Sequence, residues 1–237
     1  MESLLVLWDI DFTLVVGGSV GMRLYEQVFS NMFGRDLTEV PPMGGRTDRA
    51  IITHTLSLAG ISDPGSHVDT FIAQMAAGAP AFARQAVQQV QVLPGVNEAL
   101  AALAQTQTPR CVQSVLTGNI RAMAEVKLGA VGLTKHLDLD IGAYGDHHEV
   151  RAELVHQARD NAARSYGESF AGEATVLVGD TPLDVAAALD TGARAVGVAT
   201  GGSEFGSLVD AGAHAVLPDL SDTAAVIAAI LGTGTAR

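Results

Sequence analysis

Eleven residues near the amino terminus, Leu4-Leu5-Val6-Leu7-Trp8-Asp9-Ile10-Asp11-Phe12-Thr13-Leu14, constrain the fold more than any other stretch. An apolar run of strand length ends in two acids two positions apart. A run without alternation reads as a strand buried on both faces, near the middle of a parallel sheet. Open α/β sheets bind ligands at the carboxyl ends of their strands, which is where Asp9 and Asp11 stand. Two acids at the tip of an apolar strand cost solvation and repel each other unless something cationic sits between them. The plainer alternative is that one Asp caps a helix and the other ends the strand.

Composition narrows the class. The 237 residues suffice for one large domain or a core with a small second domain. With 48% hydrophobic and 17% charged residues the chain is not of the disordered type. The formal charge of -12, from 14 basic and 26 acidic side chains without a basic cluster, argues against nucleic acid as a partner. Cys111 stands alone, which excludes an intrachain disulfide and a thiolate metal cluster, and it is expected inside a strand. No apolar span of membrane length occurs and the N-terminus lacks a signal-peptide pattern, so the expectation is a cytoplasmic protein with no membrane partner. A monomer and a homodimer are equally open.

Taken in order, the chain turns at Gly17-Gly18 and then carries an apolar helical stripe over 20–33. Thr47 or Asp48 is expected to cap a helix through Ile51 and Leu56, and residues 66–90 predict one or two more, interrupted at Gly78-Ala79-Pro80. No strand signal appears between 18 and 90. The α/β alternation resumes after Pro94-Gly95, with strands expected at 111–116, 136–141, 175–178, 195–198 and 215–217, helices between them, a final helix from Asp222 to Leu231 and a frayed tail over 232–237. The expected fold is therefore α/β, a Rossmann-like parallel sheet core covered on both faces, with an inserted all-helical cap domain. The boundaries are 1–16 and 91–237 for the core and 17–90 for the cap.

Three strand tips carry chemistry: Asp9 and Asp11, then Thr117-Gly118-Asn119, then Asp180 with Asp184 one helical turn later. Carboxylates from two tips are hard oxygen ligands suited to Mg²⁺. Thr117 offers a hydroxyl beside backbone N–H groups at a helix start, a cradle for an anion. Together they read as metal-assisted chemistry on a phosphate. No nucleotide-type P-loop and no G-x-S-x-G elbow occurs. Two cations are candidates to steady the site. Arg151 opens the helix after the expected third strand. Lys127 lies about 12 Å along its helix from Asn119, a position expected to point away. Arg151 is the favoured choice.

Asp9-Ile10-Asp11-Phe12-Thr13-Leu14, Thr117-Gly118-Asn119 and Gly179-Asp180-Thr181-Pro182-Leu183-Asp184 resemble the first, second and fourth motifs of the haloacid dehalogenase-like phosphatases, in the family's order. The helical insert is similar to that of the phosphoglycolate phosphatase-like branch. The resemblance implies an aspartyl-phosphate on Asp9, acid and base work by Asp11, and phosphoryl binding by Thr117. It implies Mg²⁺ held by Asp9, the Asp11 carbonyl, Asp180 and Asp184, and a small phosphorylated metabolite as substrate. Gly118 and Asn119 accompany Thr117 in binding it. The sequence departs from the pattern at Phe12, where a glycine is common, and at Glu149-Val150-Arg151-Ala152, where Lys-Pro is usual. Gly44-Gly45-Arg46-Thr47-Asp48 is similar to a substrate-proximal segment of the family, and Arg46 is a candidate for a substrate carboxylate or second phosphate. His147 and His148 are expected on a loop surface. A phosphosugar mutase of the same fold and a non-catalytic phosphate-binding protein are the alternatives. The absence of an acid at position 11 would have pointed to a 2-haloacid dehalogenase.

Overall fold

The computed structural model describes residues 3–17 and 20–233. Gly18 of the expected turn and residues 234–237 of the expected frayed tail lie outside them.

The chain starts with β1 (Ser3–Trp8), whose six residues are all buried. Its alternation is sorted by the pleat: Leu4, Val6 and Trp8 pack into one apolar cluster, while Leu5 and Leu7 pack into another on the opposite face. This is the physical content of an apolar run without alternation, because both faces of the strand need apolar cover. A short β2 (Val15–Val16) follows, then four helices: α1 (Val20–Phe33), α2 (Asp48–Leu58), α3 (Pro64–Gly78) and α4 (Ala83–Gln89). Then β3 (Gln91–Val92) pairs antiparallel with β2, Val15 opposite Val92, so the helical stretch leaves and re-enters the sheet region through one ribbon.

The α/β alternation continues with α5 (Val96–Ala104), β4 (Arg110–Val115), α6 (Arg121–Ala130), α7 (Arg151–Tyr166), β5 (Thr175–Gly179), α8 (Pro182–Asp190), β6 (Arg194–Val198), α9 (Phe205–Asp210), β7 (Ala215–Leu217) and α10 (Thr223–Leu231). The sheet has five strands in the order β4-β1-β5-β6-β7, paired in parallel throughout. The chain moves from β1 to β4 on one side and then crosses to β5 on the other. Such a reversal opens a crevice at the carboxyl ends of the strands.

The expected strand at 136–141 does not form. A short 3-10 turn spans Leu133–His136, and the backbone then runs beside β4 with separate contacts, Asp138 N–H to Gln113 O at 2.9 Å and Ala143 N–H to Val115 O at 3.0 Å. The Asp138 carboxylate accepts from the Asp140 N–H at 3.1 Å and turns the chain there. Local side-chain bonding of this kind competes with a ladder. Ala143 alone makes a bridge, to Leu116.

The helical stretch is fastened to the sheet loops at the start of α2. Thr47 caps that helix, accepting from the Ala50 N–H at 3.3 Å. The Asp48 and Arg49 N–H groups donate to Gly118 O at 2.7 Å and Gly145 O at 3.0 Å. The Asp48 carboxylate accepts from the Ile120 N–H at 2.8 Å. This approach demands glycine: a Cβ on Gly118 would overlap Arg46 O, and one on Gly145 would overlap Gly118 O.

Among the described residues no helix is long and apolar enough to cross a membrane. Leu7 is fully buried between β1 and the helices on one face. Leu7→Ala is expected to lower the unfolding free energy by about 2 to 5 kcal/mol, as buried Leu truncations do, read from urea denaturation.

Candidate active site

Asp9 is set in place by the sheet itself. Its N–H donates to Val178 O of β5 at 2.8 Å, which continues the ladder by one residue and turns the carboxylate over the strand tips. Arg151, the first residue of α7, donates through Nη2 to Asp9 Oδ1 at 2.9 Å. The same Nη2 lies 2.5 Å from Asp184 Oδ1, without hydrogen-bond alignment. Both partners are buried, so the pair is not a surface ion pair of little consequence. Arg151 is thus placed beside Asp9, although the strand expected at 136–141 does not precede α7.

Asp11 has its own cation. Lys127 of α6 approaches Asp11 Oδ1 at 2.8 Å and Oδ2 at 2.6 Å, and also donates to Asn119 Oδ1 at 2.8 Å. Asn119 Nδ2 donates to Asp11 Oδ2 at 2.7 Å and to Thr117 Oγ1 at 2.9 Å. The expectation that Lys127 points away is thus corrected. Distance along a helix axis ignores that helical side chains lean toward the N-terminus. A long lysine stem on that lean returns its ammonium to the start of α6, and Lys127 is only 6% exposed there.

The Asp180 and Asp184 pair comes from the tip of β5 and the first turn of α8. Pro182 sits in that first turn and Thr181 caps it in a capping box with Asp184. Thr181 donates to Asp184 Oδ2 through its hydroxyl at 2.6 Å and its N–H at 3.1 Å, which fixes one oxygen and leaves the other facing Asp9. Asp9, Asp180 and Asp184 each present a carboxylate oxygen within 4.8 Å of the others. Gly201, in the loop after β6, lies flush against Asp180, where any Cβ would overlap its carboxylate. The close approach explains the glycine after the strand that was expected at 195–198.

The electrostatics of this corner are unbalanced. Burial pushes the Asp9 carboxyl well above its ordinary range; Arg151 opposes the shift, and Asp184, Asp180 and Asp11 add to it. Burial, then Asp184, push Asp180 up to about 7, against Arg151. Arg151 is held firmly protonated: burial works against its charge, and Asp184 and Asp9 outweigh that. Three clustered carboxylates with one shared guanidinium are short of positive charge. All their donors are oxygen. Ligands about 2.1 Å from an octahedral cation lie about 3 to 4 Å apart, and the three oxygens lie within 4.8 Å of one another. The donor set fits a hard divalent cation.

Asp9, Asp11, Thr117, Gly118, Asn119, Lys127, Arg151 and Asp180 line one cavity of about 260 Å³, which residues of α1, α2 and α3 also border. Asp184 stands just behind, against Gly179. Arg46 borders the same cavity, but its guanidinium donates to Pro42 O and Ala50 O, each at 3.1 Å, and lies 3.3 Å from His54 Nδ1. It does not reach into the site. His147 and His148 are exposed on a loop, as expected. Asp48, read in the sequence as a helix start and as part of a segment similar to the family's substrate-proximal one, borders the cavity with its carboxyl, which burial raises to about 6.

The profile of the haloacid dehalogenase-like hydrolases matches residues 6–189. Comparison with curated proteins finds no match. Among solved structures, a Clostridium acetobutylicum protein assigned by prediction as a phosphatase superposes with a TM-score of 0.65 at 17% identity, over 94% of this chain and 98% of that one. A haloacid dehalogenase-like hydrolase assignment from Bacteroides fragilis gives 0.66 at 17% identity, over 93% and 99%. A Thermotoga maritima protein assigned as a β-phosphoglucomutase gives 0.56 at 20% identity, over 96% and 98%.

The raised Asp180 carboxyl has a signed consequence. The folded state binds a proton up to about pH 7 that the unfolded chain releases near 3.8, so stability falls as pH rises through that window. In the presence of a chelator, the urea midpoint is expected to drop from pH 5 to pH 7.5. Asp180→Asn should flatten that slope, and an unchanged slope would refute the assignment.

Proposed function

The chain belongs to the haloacid dehalogenase-like hydrolases, and we propose that it is a Mg²⁺-dependent phosphatase acting on a small phosphate monoester through an aspartyl-phosphate on Asp9. One observation carries this reading. Two carboxylates at the end of one strand are each held by a separate cation, Asp9 by Arg151 and Asp11 by Lys127, on the floor of the same cavity. We assign the nucleophile to Asp9, which faces the other two acids, and proton transfer to Asp11, which stands apart from them.

In the first displacement an Asp9 oxygen attacks phosphorus and the ester P–O bond breaks. Asp11 gives the leaving oxygen its proton, so the alcohol departs neutral. In the second, Asp11 takes a proton from water, the water oxygen attacks phosphorus, and the bond to Asp9 breaks to release phosphate. Thr117, fully buried at the tip of β4, and the N–H groups after it receive the phosphoryl oxygens. Arg151 orients Asp9 and offsets charge on the transferred group. Asn119 and Lys127 fix the Asp11 carboxyl. Asp9, Asp180 and Asp184, with the Asp11 carbonyl, would hold Mg²⁺, which when bound would supply the remaining positive charge for the phosphoryl group.

Residues 17–90 act as a cap over the core formed by 1–16 and 91–237. A mutase reading draws on a fold similarity alone, and no feature of the cavity favours it.

Phosphate release from p-nitrophenyl phosphate should require Mg²⁺ and stop in EDTA. Asp9→Asn should lower it by roughly a thousandfold or more, as loss of a reacting group does. Turnover surviving either change would refute the mechanism. Calorimetry should find Mg²⁺ bound more tightly at pH 8 than at pH 6, with proton release, because the Asp180 carboxyl is raised to about 7.

A further inference from the structure

We propose that the site selects monoesters of uncharged, apolar alcohols, aromatic ones included, and rejects esters whose leaving group carries a second anion or many hydroxyls. This rests on the phosphatase reading above and names its substrate class.

The first argument is the wall facing the catalytic carboxylates. Above the floor the cavity is bounded by Met22, Tyr25, Met43, Ile51, Met75 and Met123. Four methionines give a polarizable, adaptable apolar surface. Its polar groups are few: the Tyr25 hydroxyl donates to Thr55 Oγ1 at 3.2 Å, and one oxygen of the Asp48 carboxylate accepts from the Ile120 N–H. Several sugar hydroxyls entering here would lose more hydrogen bonds to water than the wall can return, a cost that hydrogen-bonding sites avoid and apolar ones impose. At about 260 Å³ the cavity lies below the range of drug-sized pockets, about 300 Å³ and more, so the alcohol is small.

The second argument is charge. Among the described residues three cations border the cavity, Arg46, Lys127 and Arg151. Arg151 is taken by Asp9 and Asp184, Lys127 by Asp11 and Asn119, and Arg46 by two backbone carbonyls. The two cations on the floor are thus each paired with an acid, and the Arg46 guanidinium is turned to the Pro42 and Ala50 carbonyls. Asp48 would repel a carboxylate or a second phosphate.

The third argument is Phe12. It holds φ at 60°, a left-handed conformation that is a genuine outlier for a bulky residue. Such strain persists where the surroundings over-determine it. Thr200 donates to its carbonyl, and the ring stays 48% exposed at the cavity edge next to Asp11. A glycine would hold this turn without strain. The side chain that stands there instead borders the cavity beside Asp11.

Benzyl phosphate and 4-carboxybenzyl phosphate test the idea, since their leaving alcohols differ mainly in the added carboxylate. With Mg²⁺, kcat/KM for benzyl phosphate is expected to exceed that for 4-carboxybenzyl phosphate at least about tenfold. Met22→Lys, a cation placed on the half-buried wall of α1, should narrow or reverse that ratio. Phe12→Gly should cut the preference for benzyl over methyl phosphate about fivefold or more. Equal or faster turnover of the carboxybenzyl ester, or a ratio indifferent to Phe12→Gly, overturns the selectivity while leaving a phosphatase. No Mg²⁺-dependent turnover of these esters or of p-nitrophenyl phosphate overturns the underlying reading together with it.

Discussion

Negative charge gathered at the tip of an apolar strand is the constraint on which the rest depends. β1 needs apolar cover on both faces, so its end cannot simply project into water. Asp9 and Asp11 are tolerable there because Arg151 and Lys127 arrive from two different helices. Their arrival in turn requires α6 and α7 to start near the strand tips, and the parallel topology provides that. The same argument extends to Asp180 and Asp184, which share Arg151 and remain short of positive charge.

Much of this was legible in the sequence where chemistry and local geometry coincide. The β1 run, the first helical stripe over 20–33, the proline at the start of α8 and the tips of β1, β4 and β5 all fell where their residues indicated. The fold class followed from the alternation. Legibility failed where side-chain reach or competing local bonds decide the outcome. Axial rise alone carries Lys127 away from the site, and the lean of its side chain toward the start of α6 brings it back to Asp11. The stretch 136–141 has strand-like composition, yet Asp138 turns it by bonding its own backbone. Arg46 is the lone cation of its segment, but nearby carbonyls of Pro42 and Ala50 claim it. None of these contacts leaves a periodic signature.

Glycine marks the places where backbone must approach backbone. Gly118 and Gly145 let the start of α2 sit against the loops after β4, and Gly201 lets the loop after β6 touch Asp180. Phe12 is the reverse case, a bulky residue held where glycine would be at ease. The cavity therefore has a floor fixed by backbone contacts and a wall made of flexible methionines.

The β2–β3 ribbon carries a consequence for how such a molecule can diversify. With Val15 and Val92 paired, the four-helix insertion is a loop whose ends are already joined. Loop-closure entropy grows only logarithmically with length, about 0.6 kcal/mol for each doubling. Helices can thus be gained, lost or exchanged between those two valines at small thermodynamic cost to the sheet. The acids on the strand tips lie outside the ribbon, so such exchange leaves them in place as long as the start of α2 keeps its bonds to Gly118 and Gly145.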